Sequence, residues 1–239
     1  MRTVIVTGAS RGLGLAIAAK LAAEGYRIVG MSRTNSETYR DLMARRGHDV
    51  EFQPFDLADV ECIAEAAREA IRRSGPIYGL VNNAGVEVSG VLATMAEADI
   101  ERVLAVNLLA PITLTRTIMG SMLAKGEGRI VNISSIAAST GFHGLSVYAA
   151  AKAGLEGFTR SLSREAGKRN ITVNCVAPGY METEMTAGLP AGALESARRR
   201  APLGLPRPEQ VAAAVSYLMT PEACTVTGTV LTVDGGGSA

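Results

Sequence analysis

The sequence contains no tryptophan, and aromatic residues make up only 4% of its 239 residues. Its hydrophobic residues, 47% of the chain, are therefore mainly aliphatic, and at this length they fit one large core better than two small domains. An excess of charge of either sign is also missing, since 24 basic residues face 23 acidic ones. This balance argues against nucleic acid as a partner.

Cysteine and histidine are scarce, with three and two residues respectively. The cysteines are widely spaced and form no CxxC pair: Cys62, Cys175 and Cys224. This pattern favours reduced thiols over a disulfide or a zinc site, and we expect no bound metal.

Long uninterrupted hydrophobic runs are missing as well. The longest apolar stretch, near residues 103–114, is broken by Asn107 and Pro111 and is too short to span a bilayer. An apolar run begins at Val4, which leaves no room for a signal peptide. We therefore expect a cytoplasmic protein with no membrane partner.

Short runs rich in β-branched residues alternate along the chain with longer stretches of helical periodicity. The predicted strands cover residues 3–7, 27–31, 50–54, 79–82, 129–134, 172–176 and 229–233. The predicted helices lie near residues 12–24, 36–46, 59–74, 97–124, 146–168 and 207–219. This alternation predicts βαβ units with right-handed crossovers. We therefore predict an α/β fold: a single Rossmann-type domain over residues 1–239, with a doubly wound parallel sheet of about seven strands and helices on both faces.

Residues 182–206 differ from the rest of the chain because glycine and proline interrupt two short helical pieces. The segment follows the predicted strand 172–176, and ligands of such sheets bind at the carboxyl ends of the strands. It is either an ordinary surface loop or a lid over the substrate, and its position favours the lid.

A glycine-rich turn with the spacing Gly-x-x-x-Gly-x-Gly joins the first predicted strand to the first helix. Gly8 permits a tight turn, Gly12 lets the backbone approach a pyrophosphate, and Gly14 allows the helix to pack closely on the strand. The helix N-terminus offers free N–H groups to the phosphates. A turn without a ligand is the alternative, but three glycines at this junction favour a dinucleotide site.

The end of the second predicted strand indicates which dinucleotide binds. NAD sites carry an acidic residue there, whereas this chain has Ser32, Arg33 and Thr34. Arg33 can hold a 2′-phosphate through charge-assisted hydrogen bonds, and Arg11 of the glycine turn would face the same phosphate. Each arginine alone could be a solvated surface residue, but the pair favours NADP.

The third and fourth predicted strands also end in residues that suit a ligand. Asp56 follows the third strand, where it could meet an adenine amino group, and Asn83-Ala84-Gly85 follows the fourth. Simple turns use the same residue types. Because the carboxyl ends of parallel strands meet at one edge of the sheet, a shared ligand is favoured.

Tyr148 and Lys152 lie four residues apart near the start of a predicted helix, so their side chains share one face. The alternative is a structural pair without catalytic function, in which a half-buried tyrosine lies beside a lysine whose aliphatic chain extends its ammonium group to solvent. Such pairs are common on helices. Two further polar residues favour a catalytic group. Ser135 comes just past the strand 129–134, and Asn107 lies inside an apolar helix where its amide needs a partner.

These motifs, in this order, resemble those of the short-chain dehydrogenases/reductases, and the resemblance covers essentially the whole chain. It implies the catalytic set Asn107, Ser135, Tyr148 and Lys152, with the family's serine-to-tyrosine spacing selecting Ser135 over Ser134. It also implies that Lys152 binds the nicotinamide ribose and that Asn107 holds a water in a proton relay.

The resemblance completes the expected NADP site with the turn after the sixth strand, where the backbone of Met181 and the side chain of Thr183 would contact the carboxamide. The expected contacts are Gly8, Ser10, Arg11, Gly12, Leu13, Gly14, Ser32, Arg33, Thr34, Asp56, Leu57, Asn83, Ala84, Gly85, Tyr148, Lys152, Pro178, Gly179, Met181 and Thr183.

The catalytic set suits the reduction of a carbonyl group. A carbonyl that receives a hydride develops alkoxide charge and needs a proton, and a free tyrosine with a pKa of about 10 is a slow acid near neutral pH. We expect the positive charge of Lys152 to lower the pKa of Tyr148. Ser135 would hold the carbonyl oxygen by a hydrogen bond.

Three runs of the sequence resemble the 3-oxoacyl-acyl-carrier-protein reductases within this family: 128–135, 174–186 and 233–236. This resemblance implies an acyl thioester substrate and an acyl carrier protein that docks on basic residues near the active-site mouth. Arg169 matches one docking arginine, whereas Gly126, beside Lys125, stands where the other is expected. The run 198–200, three arginines, is a further candidate contact or simply a solvated face.

Two alternatives remain open. One is an NADP(H)-dependent enzyme acting on another ketone or alcohol, such as a sugar, a steroid or a small ketone. The other is a non-catalytic dinucleotide-binding regulator, although such a protein would be expected to lack Tyr148 or Lys152. The resemblance also implies a homotetramer built on the helices around Asn107 and Tyr148.

Overall fold

The computed structural model describes residues 1–182 and 191–239 of the chain. These residues form a sheet of seven strands: β1 (Thr3–Thr7), β2 (Arg27–Ser32), β3 (Val50–Pro54), β4 (Ile77–Asn82), β5 (Gly128–Ile133), β6 (Ile171–Pro178) and β7 (Val230–Val233). All neighbours pair in parallel, in the order β3-β2-β1-β4-β5-β6-β7. The order reverses between β1 and β4, where open α/β sheets bind their ligands. The predicted doubly wound α/β fold is confirmed.

The helices alternate with the strands as expected for βαβ units. They are α1 (Gly12–Ala23), α2 (Glu37–Arg46), α3 (Ile63–Ser74), α4 (Glu97–Leu104), α5 (Ala110–Lys125), α6 (Ala137–Thr140), α7 (Ser146–Ala166), α8 (Ala191–Arg200) and α9 (Pro208–Met219). The single helix predicted near 97–124 is divided, because a π-helical turn (Ala105–Leu109) joins α4 to α5. The short helix α6 is absent from the prediction.

Two separate layers of helices cover the two faces of the sheet. On one face α1 and α9 pack together, with Ile17 and Val215 fully buried. On the other face α3, α5 and α7 contribute Ile63, Leu114 and Leu162 to a second cluster. Every residue of β1, β4 and β5 is buried, as expected when parallel strands are covered on both faces. Aliphatic side chains therefore build most of both cores.

The helical stretch Glu97–Lys125, which consists of α4, the π-helical turn and α5, is longer and more apolar than the sequence indicates. Its 29 residues are long and apolar enough to cross a membrane by length and composition alone. In the fold, however, Leu114, Ile118 and Met122 are fully buried in the core. A core helix of a soluble protein passes the same test, so the finding is a weak indication of a membrane span.

The predicted lid over 182–206 is described only in part, because residues 183–190 lie outside the described ranges. After α8, the chain is attached to the turn that follows β7, since the Leu203 N–H donates to the Gly235 carbonyl at 3.1 Å. Gly235 has a φ of +67°, and a Cβ there would meet the carbonyl oxygen of Gly204 at 2.0 Å. Leu203 and Gly204 are therefore closely packed against the turn that follows β7, and the function of residues 182–206 as a lid stays a prediction.

Candidate active site

The glycine turn between β1 and α1 has the geometry of an anion-binding loop. Gly8 and Gly12 have φ values of +66° and +53°, in the left-handed region that favours glycine. A Cβ on Gly14 would lie 2.1 Å from the carbonyl oxygen of Gly8, whereas a Cβ on Gly12 would meet no atom within 4 Å. The first turn of α1 has no acidic residue, and no side chain caps it. The open space beside Gly12 and this helix N-terminus therefore suit a phosphate.

Thr7 holds the glycine turn against the end of β4, a role that the sequence reading missed. Its buried hydroxyl accepts hydrogen bonds from the backbone N–H groups of Asn83 and Ala84, both at 3.0 Å. The Asn83 amide donates in turn to the Thr7 carbonyl at 2.8 Å. The side chain of Asn83 is thus committed to the protein, so we expect any contact of Asn83 and Ala84 with a dinucleotide to come from their backbone. A buried threonine directly before the first glycine was the available signal.

The residues at the end of β2 lie beside the glycine turn. The Ser10 N–H donates to the Ser32 hydroxyl oxygen at 3.2 Å, which joins the two segments. Arg11 follows Ser10 and Arg33 follows Ser32, so the structure brings both arginines to one corner of the sheet. Arg33 and Thr34 are exposed there, and no acidic residue occupies positions 32–35. The corner therefore suits a 2′-phosphate.

Asp56 and Leu57 occupy the next corner, after β3. The backbone links this corner to β2, because the Phe55 N–H donates to the Ser32 carbonyl at 2.9 Å. The exposed Asp56 carboxylate accepts the N–H of Ala58 at 3.0 Å. Leu57 is buried in the core cluster that includes α3. Of these two, Asp56 has the side chain at the surface that an adenine amino group would approach.

Tyr148 and Ser135 come together where β5 ends and α7 begins. The Ser135 hydroxyl is near enough to the Tyr148 hydroxyl to act on its pKa, and it accepts the N–H of Ala137 at 3.1 Å. Burial, together with the negative charge of Glu87, raises the pKa of Tyr148 to about 12, and the polar interaction with Ser135 opposes this rise. The expected lowering of the Tyr148 pKa by Lys152 is therefore not seen in this structure, where burial is the largest influence on that pKa.

Lys152 lies beneath the ring of Tyr148, one helical turn further along α7. Its Nζ is 5.6 Å from the ring centroid and donates to the carbonyl oxygen of Ile133 at 2.8 Å. The side chain is 3% exposed, and this burial lowers the pKa of Lys152 to about 8. The ammonium group therefore contacts the end of β5 and the tyrosine ring rather than a carboxylate.

Asn107 is fully buried in the π-helical turn between α4 and α5. Its amide nitrogen donates to the carbonyls of Val86 and Val103 at 2.8 and 2.9 Å, and its oxygen accepts the Val86 N–H at 3.3 Å. A Cβ on Gly85 would lie 2.7 Å from the Asn107 oxygen and 3.5 Å from Lys152 Nζ. The absence of a side chain at Gly85 thus lets the loop after β4 approach both residues. π-turns of this kind are frequent at functional sites.

The two serines at the end of β5 point to different partners, as strand alternation predicts. Ser134 is buried and donates to the Glu156 carboxylate at 2.7 Å, while Ser135 faces Tyr148. The geometry therefore agrees with the choice of Ser135 for the candidate catalytic set.

The turn after β6 closes the same side of the site. The Ile136 N–H donates to the Pro178 carbonyl at 3.1 Å, and the Gly179 N–H donates to Val233 at 2.9 Å. A Cβ on Gly179 would lie 2.6 Å from the Cβ of Asp234. Met181 packs against the core cluster that contains α1 and α9. Thr183, the last expected contact, lies outside the described residues.

The expected carrier-docking residues lie on the other edge of the sheet. Arg169 precedes β6 and Gly126 precedes β5, and the Asn170 amide donates to the Gly126 carbonyl at 3.3 Å. At about 3.3 Å per residue, the six residues of β5 put this edge about 20 Å from the end of β5 that leads to Ser135. Within one chain, Arg169 is therefore not at the mouth of the site around Tyr148.

Comparison with known proteins agrees with this geometry. The family model described as short chain dehydrogenase matches residues 2–193. Over 236 residues the chain is 41% identical to nodulation protein G of Rhizobium sp. (strain N33), with 98% of this chain and 96% of that protein covered. Over 238 residues it is 37% identical to the 3-oxoacyl-acyl-carrier-protein reductase FabG of Escherichia coli (strain K12), and 36% to that of Vibrio cholerae, with the same coverage. The chain therefore belongs to the short-chain dehydrogenase/reductase family of oxidoreductases, whose members bind nicotinamide dinucleotides.

Proposed function

We propose that the protein is an NADPH-dependent reductase that converts the keto group of a 3-oxoacyl thioester to a 3-hydroxyl group. The observation that carries this proposal is the grouping of Ser135, Tyr148 and Lys152 at the carboxyl ends of the strands, with Lys152 Nζ 5.6 Å from the centroid of the Tyr148 ring. These residues provide a candidate proton donor, with two polar neighbours, beside a glycine turn that suits a dinucleotide.

The residues around the glycine turn fit NADPH better than NADH. Gly12 and the uncapped end of α1 suit the pyrophosphate, and Arg11 and Arg33 share the corner where a 2′-phosphate would lie. A bound nicotinamide dinucleotide supplies the hydride. Lys152 would hold the ribose, and Met181 the carboxamide, as in the family pattern.

Tyr148 is the proposed proton donor to the developing alkoxide. Tyr148 carries a proton near neutral pH, but a pKa of about 12 makes it a weaker acid than a free tyrosine, so efficient proton transfer would require this pKa to fall when substrate and dinucleotide bind. Ser135 would hold the carbonyl oxygen beside Tyr148 and stabilise its negative charge in the transition state. Lys152 and Asn107 would position the tyrosine and supply its next proton.

The names of the relatives support a 3-oxoacyl thioester as the substrate but do not identify it uniquely, because they include both 3-oxoacyl-acyl-carrier-protein reductases and nodulation protein G. A cytoplasmic location and a role in fatty acid biosynthesis belong to the same proposal. So does a homotetramer, for which the exposed Leu104, Leu109 and Leu123 on α4, the π-turn and α5 offer an apolar surface. In such an assembly Arg169 of one chain could serve a carrier that reaches the site of another.

The experiment that tests the proposal compares Tyr148→Phe and Ser135→Ala with the unaltered protein on a panel of 3-oxoacyl thioesters, sugars and cyclic ketones. We expect thioester reduction in the unaltered protein and a fall in kcat of about 10² or more in Tyr148→Phe, with NADPH binding retained. Ser134→Ala is the matched control, since its hydroxyl faces Glu156. Reduction of another ketone but of no thioester would overturn the substrate, and normal kcat in Tyr148→Phe would overturn the mechanism.

A docking test addresses the carrier separately. Arg169→Glu should slow reduction of a carrier-bound 3-oxoacyl substrate, in a salt-dependent way, and leave a small uncharged thioester unaffected. Arg45→Glu, at the end of α2 on the far side of the sheet, is the control. An equal response of both substrates to Arg169→Glu would remove the carrier from the proposal.

A further inference from the structure

The loop that follows β4 is attached to the candidate site at two points. Near its start, the Val86 N–H and carbonyl both bond to the Asn107 amide. Further along, the Gly90 N–H donates to the Gly144 carbonyl at 3.0 Å, and Gly144 lies on the segment that leads into α7 and Tyr148. Residues 87–89 are therefore held as a short wall between Asn107 and the start of α7.

Glu87 is the acidic residue of this wall. Its side chain is partly buried, and its negative charge is a contributor, after burial, to the raised pKa of Tyr148. The Ser89 hydroxyl donates to the Glu87 carboxylate at 3.0 Å, and no ion pair joins Glu87 to a base within residues 1–182 and 191–239. The Lys152 ammonium group donates to the Ile133 carbonyl and forms no ion pair with Glu87. A substrate whose carbonyl reaches Tyr148 thus approaches a loop, held at Asn107 and Gly144, that carries a carboxylate without an ion-pair partner.

We propose that Glu87 is a specificity-determining residue that excludes ketones carrying a carboxylate near the keto group and admits their uncharged esters and thioesters. The inference rests on the proposed function and deepens it. A free 3-oxo acid places its carboxylate two bonds from the reacting carbonyl, whereas the thioester of the same acid is neutral at that position. Like charges held close together in a partly desolvated site repel, so Glu87 discriminates by repulsion as well as by fit.

The charge of Glu87 also offers an acceptor to substrates that carry a hydrogen-bond donor near the keto group. An amide N–H or a hydroxyl can bond to the carboxylate and compensate its burial. Glu87→Gln retains the size of the side chain and its carbonyl oxygen while removing the charge. It therefore separates the repulsion of anions from the shape of the wall.

The test measures kcat/KM for acetoacetate and for its neutral counterpart ethyl acetoacetate, using the full chain and saturating NADPH. For Glu87→Gln we expect kcat/KM on acetoacetate to rise about tenfold, equivalent to about 1.4 kcal/mol, mainly through a lower KM. The value for the ester should stay within about threefold, a range that context commonly produces. Glu101→Gln, exposed on α4, is the matched control and should change neither value.

An equal change on both substrates, or no change on either, would overturn the proposal and leave Glu87 with a role in the structure of the loop or in the acidity of Tyr148. A second variant, Glu87→Ser, removes the charge with a smaller side chain and must favour acetoacetate in the same direction. Failure of the unaltered protein to reduce any 3-oxoacyl thioester would instead overturn the proposed substrate. The charge test would then use an acid and ester pair of whichever ketone is reduced.

Discussion

Replacement of Lys152 by methionine is expected to stabilise the protein while removing its activity. Lys152 is 3% exposed, and its ammonium group donates to the Ile133 carbonyl and forms no ion pair with any carboxylate in the described part of the chain. A buried charge without a counter-charge is destabilising. Methionine has a similar length and no charge, so it keeps the packing and removes the free-energy cost of burying the ammonium group.

The magnitude follows from the depressed pKa. Burial lowers the pKa of Lys152 from 10.5 to about 8, and at about 1.4 kcal/mol per pKa unit this disfavours the charged folded form by about 3 kcal/mol near pH 7. Loss of the hydrogen bond to Ile133 costs about 1–2 kcal/mol in return. The expected net gain is about 1–2 kcal/mol, which raises Tm by about 2–8 °C in a protein of this size.

The gain has a defined pH dependence. Because the folded pKa is lower, the unfolded chain binds more protons than the folded one between about pH 8 and 10.5, so the stability of the unaltered protein rises over that range. The cost of the buried ammonium is fully present below about pH 8 and is relieved towards pH 10.5. Lys152→Met should therefore exceed the unaltered protein in stability near pH 7 and lose this advantage near pH 10.

Urea unfolding followed by circular dichroism, without cofactor and at both pH values, measures the effect. Lys20→Met is the control, because Lys20 is exposed on α1 and paired with Glu24 at 2.9 Å, and its change should stay within about 0.5 kcal/mol. A Lys152→Met protein that is less stable near pH 7, or whose stability difference does not vary with pH, would refute the reasoning.

Three further predictions concern the dinucleotide site. Gly14→Ala should destabilise the protein by about 1–3 kcal/mol in thermal melting and weaken NADPH binding, because its Cβ would lie 2.1 Å from a carbonyl oxygen. Gly120→Ala is the control, since a Cβ at that position on α5 has open space, and it should be neutral or stabilising in thermal melting. Thr7→Val should cost about 2–4 kcal/mol in urea unfolding, since two backbone N–H groups lose their acceptor, and a cost below 1 kcal/mol would contradict that role. Arg33→Asp should weaken NADPH binding at least about tenfold in titration calorimetry and leave NADH binding nearly unchanged, and equal losses for both would place Arg33 away from the 2′-phosphate.

Much of the fold could be predicted from the sequence because its signals are local. β-Branched runs bounded by glycine located all seven strands within about two residues at each end, and their alternation with helices implied a parallel sheet. The proximity of Tyr148 and Ser135 was also predictable, since the end of β5 and the start of α7 meet at the edge of the sheet where parallel strands bind ligands.

Other features depend on contacts between segments that are distant in sequence, so neighbouring residues do not predict them. The π-turn at Ala105–Leu109 forms where the Asn107 amide bonds to two backbone carbonyls, one of them on the loop after β4. The charge of Glu87 acts on Tyr148 because that loop is attached at Asn107 and at Gly144. The raised pKa of Tyr148 likewise reflects burial that the spacing of Tyr148 and Lys152 does not reveal.

The location of Arg169 shows the limit of reasoning from motif similarity. The motif match implied a position near the active-site mouth, but Arg169 precedes β6 and lies on the amino edge of the sheet. A parallel strand separates its two ends by its full length, so residues before and after the same strand cannot share a site within one chain.

The central claim is that this chain reduces a 3-oxoacyl thioester with NADPH. The most direct measurement is kcat/KM for acetoacetyl thioester reduction with NADPH and with NADH, read from the loss of reduced nicotinamide absorbance and confirmed by detection of the 3-hydroxyacyl product. We expect turnover with a preference for NADPH of at least about tenfold, or about 1.4 kcal/mol. Equal use of both cofactors, or no 3-hydroxyacyl product with either, would contradict it.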